Sequence, residues 1–314
     1  MKTLRTGDFS ELSQRKQPIH IAVGMFDGLH VGHQSVIQSA LQAAELDGGI
    51  SGVLTFHPHP SHLFRPANPT PQIYPTEVKQ ELLREMGVDL CLVQDFNEDF
   101  ASNTAKQFVS WLRSIIPTLK SISVGENFRF GRGRSGSPTV LVEHLRKQGI
   151  SVYSCERVHL DGEPISSTRI RQMLEQSPIE KINHLLGRPY HSVGTVQQGK
   201  KLGREIGFPT LNLPVAADIL PSFGVYLARF KTIQPKRSTP RFAIANFGIR
   251  PTMEKTDSPL LEVHSLEDCP ATYGDQILVE WIRKIRPEKK FNGLEELRAS
   301  IRADRETALQ WIKT

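Results

Sequence analysis

Along the first half of the chain, short apolar runs alternate with stretches in which apolar residues recur every three or four positions. "IHIAVG" reads as a buried strand, and the segment after it carries Val36, Ile37, Ala40, Leu41 and Ala44 on one helical face. The alternation then repeats. "ISGVLTF" precedes the helical "TEVKQELLREMG", "VDLCLVQDF" precedes "NTAKQFVSWLRSII", "LKSISVG" precedes "PTVLVEHLRKQG", and "ISVYSCERV" precedes a short helix from Thr168. Strands separated by helices pair in parallel through right-handed crossovers, so this half predicts a doubly wound parallel sheet. Such sheets bind ligands at the carboxyl ends of their strands.

After about residue 186 the pattern changes. "YHSVGTVQQG", "GVYLARFKTI", "RFAIANFG", "LLEVHSL" and "ILVEWIRKIR" are strand-like and separated by Gly, Pro and polar turns rather than helices, which predicts an antiparallel β-barrel. A final amphipathic helix, with Leu294, Leu297, Ile301, Ala308, Leu309 and Ile312 near helical spacing, should cover one side of it. The fold class is therefore α/β, with an N-terminal domain over residues 1–182 and a C-terminal barrel domain over 183–314, the change falling near "HLLGRPY".

Composition narrows the function. A length of 314 residues suits two cores, and 39 Lys+Arg against 33 Asp+Glu leave a formal charge of +6. That balance favours anionic ligands, and the lack of a long basic run argues against a nucleic-acid partner. Cys91, Cys155 and Cys269 form no C-x-x-C pair and read as reduced thiols. No stretch has the length and apolarity of a signal peptide or membrane span, so a cytoplasmic protein is expected.

The candidate chemistry begins at "GMFDGLHVGH", residues 24–33, between a strand and a helix. A helix N-terminus exposes unpaired N–H groups, and glycines let a phosphate approach them. Gly24, Gly28 and Gly32 supply that access beside Phe26 and Asp27. His30 and His33, one turn apart, can both donate to phosphoryl oxygens as charge builds. The plainer reading is a glycine turn with solvated histidines. In "ISSTRIRQML", Ser166, Ser167 and Thr168 open a helix as caps, and Arg169 and Arg171 follow so closely that they oppose its dipole unless a polyphosphate offsets the cost. "VGENFRFGRGRSG" adds a basic glycine loop at the same sheet edge. "HPHPSH" places His57, His59 and His62 together, but its prolines stiffen the chain and no cysteine completes a zinc set, so it is not assigned a metal.

In the second half, Thr210 and Asn212 of "GFPTLNL" would share a strand face, and a hydroxyl with an amide oxygen suits Mg2+ that keeps most of its ligands from water and phosphate. Ordinary strand-end polarity would also explain them. Glu262, between Leu261 and Val263 in "LLEVH", is costly there unless paired, hydrogen-bonded or used.

From "IAVGMFDGLHVGH" through "TFHPHP", "VGENFRFG", "ISSTRIR", "LLGRPY", "GREIGFPTLNL", "GVY", "RPT", "LEVH" and "YG" to "IRPEKKF", the sequence resembles the bacterial bifunctional riboflavin kinase/FMN adenylyltransferase family. The resemblance implies that the C-terminal domain phosphorylates riboflavin to FMN with MgATP. It implies further that the N-terminal domain, a nucleotidyltransferase of the H-x-G-H type, moves AMP from ATP onto FMN to give FAD and pyrophosphate. His30 and His33 would then contact the ATP phosphates, and Ser167, Thr168 and Arg171 would help hold the nucleotide. Glu262 would be the general base for the ribityl hydroxyl, with Gly203 and Arg204 in a flap over the kinase ATP. Asn127 stands where many relatives carry Asp, so it is assigned to ligand binding and not as a base. Leu211 replaces the alanine of the usual P-T-A-N. Two alternatives stay open: an H-x-G-H transferase with another phosphorylated acceptor, and a flavin or nucleotide sensor without turnover.

Overall fold

A computed structural model describes residues 1–199, 202–215, 218–249 and 259–313. "RPT" and the two lysines that open the flap lie outside these residues. The chain forms two compact units, Met1–Pro71 with Lys79–Ser167, and Gln72–Val78 with Thr168–Thr314.

In the first unit, β1 (Lys2–Arg5), β2 (Ile19–Val23), β3 (Ile50–His57), β4 (Leu90–Asp95), β5 (Leu119–Gly125) and β6 (Ser151–Cys155) make one sheet in the order β1-β4-β3-β2-β5-β6. Every pairing is parallel. The helices met in chain order are α1 (Val31–Asp47), α2 (Ser61–Phe64), α3 (Thr76–Glu85), α4 (Glu98–Ala101), α5 (Ala105–Ile115) and α6 (Pro138–Leu145). All five residues of β2 are buried, as a strand covered on both faces requires. Ile19, Ile21 and Val23 join Phe108, Val109 and Leu112 of α5 and Leu141 and Leu145 of α6 in one core. The intervening His20 lies towards α1, hydrogen-bonded to Ser121 at 2.8 Å and to Asp47 at 3.2 Å.

The strand β1 is not anticipated by the hydrophobic pattern. It is a four-residue edge strand with a single buried side chain, Leu4, and its partner β4 lies nearly ninety positions away, with Thr3 opposite Cys91. Neither fact leaves a local signature.

A two-residue hairpin, β7 (His159–Leu160) with β8 (Glu163–Pro164), leads to α7 (Ser167–Leu174) and α8 (Ile179–Leu186). The second unit then contains β9 (Tyr190–Thr195), α9 (Leu202–Glu205), β10 (Leu211–Pro214), β11 (Gly224–Gln234), β12 (Arg241–Ile249), β13 (Pro259–Ser265), β14 (Gln276–Arg286) and α10 (Leu294–Lys313). Its strands pair antiparallel in the order β10-β13-β12-β11-β14-β9. The two ends of this sheet meet where the Gln197 N–H donates to the Asn212 carbonyl at 2.8 Å, an isolated bridge that curls the strands into a barrel. Trp281 fills the interior, edge-on to Tyr226 and Phe247 at 4.9 and 5.3 Å, and its indole N–H donates to Ser192 at 2.9 Å. Outside, Ala308, Trp311 and Ile312 of α10 pack with Val225, Leu227 and Ile244.

The second unit also takes in seven residues from early in the chain. Ile73, Tyr74 and Val78 are almost wholly buried. The Tyr190 hydroxyl donates to the carbonyls of Ile73 and Ile219 at 3.2 and 3.1 Å, and the Gln72 N–H donates to Asp218 at 2.8 Å.

Candidate functional site

The order of the parallel sheet sets the position of the first site. From β2 the chain moves outward through β3 and β4, then returns to place β5 on the other side of β2. The switch between β2 and β5 opens a crevice at their carboxyl ends. The segment Gly24–His30 emerges at that point.

This segment is tightly folded. Phe26 and Leu29 have φ of 50° and 44°, a left-handed conformation unfavourable for bulky residues, and Gly28 has φ of 78°. Such strain persists only where surroundings enforce it. The Met25 carbonyl accepts hydrogen bonds from Thr55 Oγ1 at 3.1 Å and Lys79 Nζ at 3.3 Å, and the Asp27 carbonyl accepts from Ser167 Oγ at 2.9 Å. Asp27 and His30 are buried, at 2% and 5% exposure.

His30 is the N-cap of α1, and its Nδ1 accepts from the His33 backbone N–H at 3.3 Å. An accepting Nδ1 leaves the proton of the neutral ring on Nε2, so His30 presents a donor on its far edge. The imidazoles of His30 and His33 stack at 3.6 Å, and Phe26 meets His33 edge-on at 5.5 Å. A Cβ at Gly32 would lie 3.3 Å from the His30 ring, and one at Gly24 would lie 3.1 Å from the Phe26 ring. Thus two of the three glycines make room for aromatic rings that shape the site, beyond any access they give a phosphate.

Asn127 follows β5 and is exposed, close to Gly125. Ser166 and Ser167 are half-buried at the start of α7. Thr168 and Arg171 belong to the second unit, the first exposed and the second half-buried. Because α7 has only eight residues, Arg171 falls in its last turn, where a cation favours the dipole. The electrostatic cost expected for Arg171 from the sequence therefore does not arise. His59 is engaged with Ser61 at 2.8 Å, and no group of three His, Cys, Asp or Glu fit to hold a metal occurs among the described residues.

Sequence reasoning passed over Lys79 and an aromatic cluster at the same sheet edge. Phe56, Phe96 and Phe64 form a chain with centroids 6.2 and 5.9 Å apart, and Phe64 is 66% exposed. The phenylalanines are scattered from residue 56 to 96, so only the fold assembles them.

The second site is a row across three strands. Asn212 of β10 lies opposite Glu262 of β13, which lies opposite Asn246 of β12. The Asn246 amide donates to Glu262 Oε2 at 3.5 Å. Glu262 is half-buried, while Leu261 and Val263 on either side of it are fully buried on the opposite face. Asn212 is 7% exposed, and a Cβ at Gly199 would sit 2.5 Å from its Nδ2, so the amide packs directly on Gly199. Thr210 precedes β10 rather than lying in it, and is half-exposed. Gly203 of the flap comes close to it, a Cβ there lying 3.4 Å from Thr210 Oγ1, and the Phe208 N–H donates to the Gly203 carbonyl at 2.7 Å. Arg204 is exposed. Asn246 was not anticipated, because only strand register places it beside Glu262. His264 was likewise missed; its ring is bonded to the Pro209 carbonyl at 2.8 Å and anchors the turn before Thr210.

Comparisons with known proteins match two parts of the chain to two family models. A family model described as FAD synthetase matches residues 12–169, and one described as riboflavin kinase matches residues 186–312. The chain belongs to the bifunctional riboflavin kinase/FMN adenylyltransferase family. It is 34% identical to the protein of that name from Bacillus subtilis (strain 168), over 99% of this chain and 98% of that one. Against the one from Escherichia coli (strain K12) it is 35% identical, over 93% and 92% of the two chains. A solved structure titled a macrolide-efflux protein, from Streptococcus pneumoniae, superposes with a TM-score of 0.83 at 27% identity and covers 99% of this chain and 100% of its own. No helix among the described residues is long and apolar enough to cross a membrane. This bifunctional enzyme of FAD biosynthesis therefore carries both family domains, with His30, His33 and Ser167 inside the first match and Asn212, Asn246 and Glu262 inside the second.

Proposed function

We propose that the chain converts riboflavin to FAD in two steps at the two sites described, in the cytoplasm, where three unpaired cysteines are at home. The observation that carries this reading is the row Asn212–Glu262–Asn246, in which a half-buried carboxylate stands between the buried Leu261 and Val263 and is oriented by an amide.

In the kinase step Glu262 accepts the proton of the ribityl 5'-hydroxyl as that oxygen attacks the γ-phosphorus of ATP, giving FMN and ADP. Asn246 holds the carboxylate. The Thr210 hydroxyl and the Asn212 amide oxygen are hard, neutral donors beside a carboxylate, a set that fits Mg2+ retaining water and phosphate ligands. When bound, Mg2+ would neutralise charge on the ATP phosphates. Gly203 borders Thr210 and, with the exposed Arg204, covers those phosphates.

In the adenylylation step an FMN phosphate oxygen attacks the α-phosphorus of ATP and pyrophosphate leaves. The nucleophile is already anionic, so no base is required and alignment dominates. His30, whose donor edge is set by its cap, and His33 stabilise charge on the phosphates, while Gly24, Phe26, Asp27, Gly28 and Gly32 form the surface beneath. Ser166, Ser167, Thr168, Arg171 and Asn127 bind nucleotide. Phe64 and Phe96 offer aromatic faces for the isoalloxazine ring. Incubating the protein with riboflavin and MgATP, then separating flavins by chromatography, tests the scheme: FMN appears first and FAD follows. FAD from FMN but none from riboflavin would overturn the kinase assignment, and no turnover would favour a sensor.

A further inference from the structure

Beneath the Gly24–His33 loop lies a lysine that the two-step scheme leaves unused. Lys79, on α3, is only 8% exposed. A lysine ordinarily extends its ammonium to water, and burying one is costly without compensation. Here the ammonium donates at 3.3 Å to the Met25 carbonyl, the same oxygen that Thr55 holds from another strand. Burial pushes the Lys79 pKa down, an effect that the Asp27 carboxylate within electrostatic reach only partly offsets.

Asp27 is the carboxylate on which the Lys79 charge acts. Asp27 is 2% exposed and belongs to the loop on which the adenylylation reading seats the ATP phosphates. A buried carboxylate beside a polyphosphate repels it in a medium of low dielectric. The backbone N–H groups at the start of α1 attract the phosphates, yet they carry only about half a charge in total. A buried ammonium facing the same loop offsets a full one.

We propose that Lys79 is a positioning residue for adenylyl transfer: it fixes the Met25 carbonyl from which the strained loop departs, and its charge cancels that of Asp27 so that the loop admits an anion. This rests on the assignment of the ATP phosphates to that loop. It makes Lys79 and Asp27 a matched pair, in which losing the cation alone is worse than losing both charges.

The test uses the full chain and the reverse reaction, in which pyrophosphate attacks FAD to give ATP and FMN, because this reads the adenylylation site without interference from the kinase ATP site. In K79M the KM for pyrophosphate should rise by about tenfold or more, while the KM for FAD stays within about twofold. K79R, which keeps the charge, should stay close to native. K79M/D27N should recover much of the loss in K79M, a rescue that a purely mechanical prop would not give. An unchanged pyrophosphate KM in K79M, or a double variant no better than K79M, would overturn the pairing. Unimpaired pyrophosphorolysis in H30A and H33A would instead overturn the placement of phosphates on the loop. Riboflavin phosphorylation, followed in parallel, reports that each chain is folded.

Discussion

The two sites are built on opposite plans. The adenylylation loop compresses its groups into ten consecutive residues, 24–33, and holds them with strained backbone, stacked rings and supports from β3, α3 and Ser167. The kinase row takes one residue from each of three strands, at positions 212, 246 and 262, and brings them together through sheet register, with the Asn246 amide on Glu262 and Gly199 against Asn212. Chemistry accounts for the difference. On the proposed assignment the loop converges donors on a polyphosphate, whereas the row aims a single carboxylate at one hydroxyl.

The largest way to separate the two is E262Q. The amide keeps size and much of the hydrogen bonding but cannot take the hydroxyl proton, so FMN formation should fall about a hundredfold to ten thousandfold. Adenylylation of supplied FMN should continue, and loss of both activities in the same preparation would mean misfolding. H33A makes the reciprocal cut: FAD formation from FMN should drop about a hundredfold, the usual scale for one lost transition-state donor, with riboflavin phosphorylation retained. An unchanged rate of FAD synthesis would remove His33 from the mechanism.

A smaller effect tests whether register suffices for the kinase row. In G199A the new methyl group would sit 2.5 Å from Asn212 Nδ2, so the amide must shift. Kinase turnover should fall by about tenfold, with added Mg2+ giving partial recovery, because displacement weakens metal and phosphate positioning without touching the base. Steady-state rates at several Mg2+ concentrations measure this.

The smallest effect concerns the parallel sheet. Burial pushes the pKa of His20 below its usual 6.5, and Asp47 only partly restores it. The unfolded chain therefore binds the proton more readily than the folded one. The contribution is present above pH 6.5 and is lost as pH falls from there through the lower folded value. Thermal melts of H20Q should show a lower midpoint at pH 7 and a shallower decline between pH 7 and about 5 than the native chain, by less than one proton's worth of slope.

The same contrast decides what could be read from sequence. The loop was legible because its offsets are local: two histidines three apart after a strand need no tertiary knowledge. Glu262 stood out as a charge among Leu260, Leu261 and Val263. Asn246 is an ordinary polar residue until β12 pairs with β13, and Lys79 reads as a solvated helix position until α3 turns it inward. Both strand rhythms were legible from periodicity, whereas β1 was not, because an edge strand with one buried residue has no period to show. Arg171 misled because its helix is only eight residues long, so that a position near the start by sequence falls in the last turn.

The seven residues from Gln72 to Val78 bear on how such an enzyme can be divided. A gene cut between the two catalytic halves would leave Ile73 and Tyr74 on the wrong polypeptide, and the kinase half would emerge with the Tyr190 hydroxyl short of one of its two carbonyl partners. The ribosome finishes that segment more than a hundred residues before β9 exists to receive it. Until then two of the most deeply buried side chains in the fold wait without a core, the kind of exposure that makes large proteins prone to associate wrongly during synthesis. The fusion of the two activities is thus written into the packing as well as the reading frame.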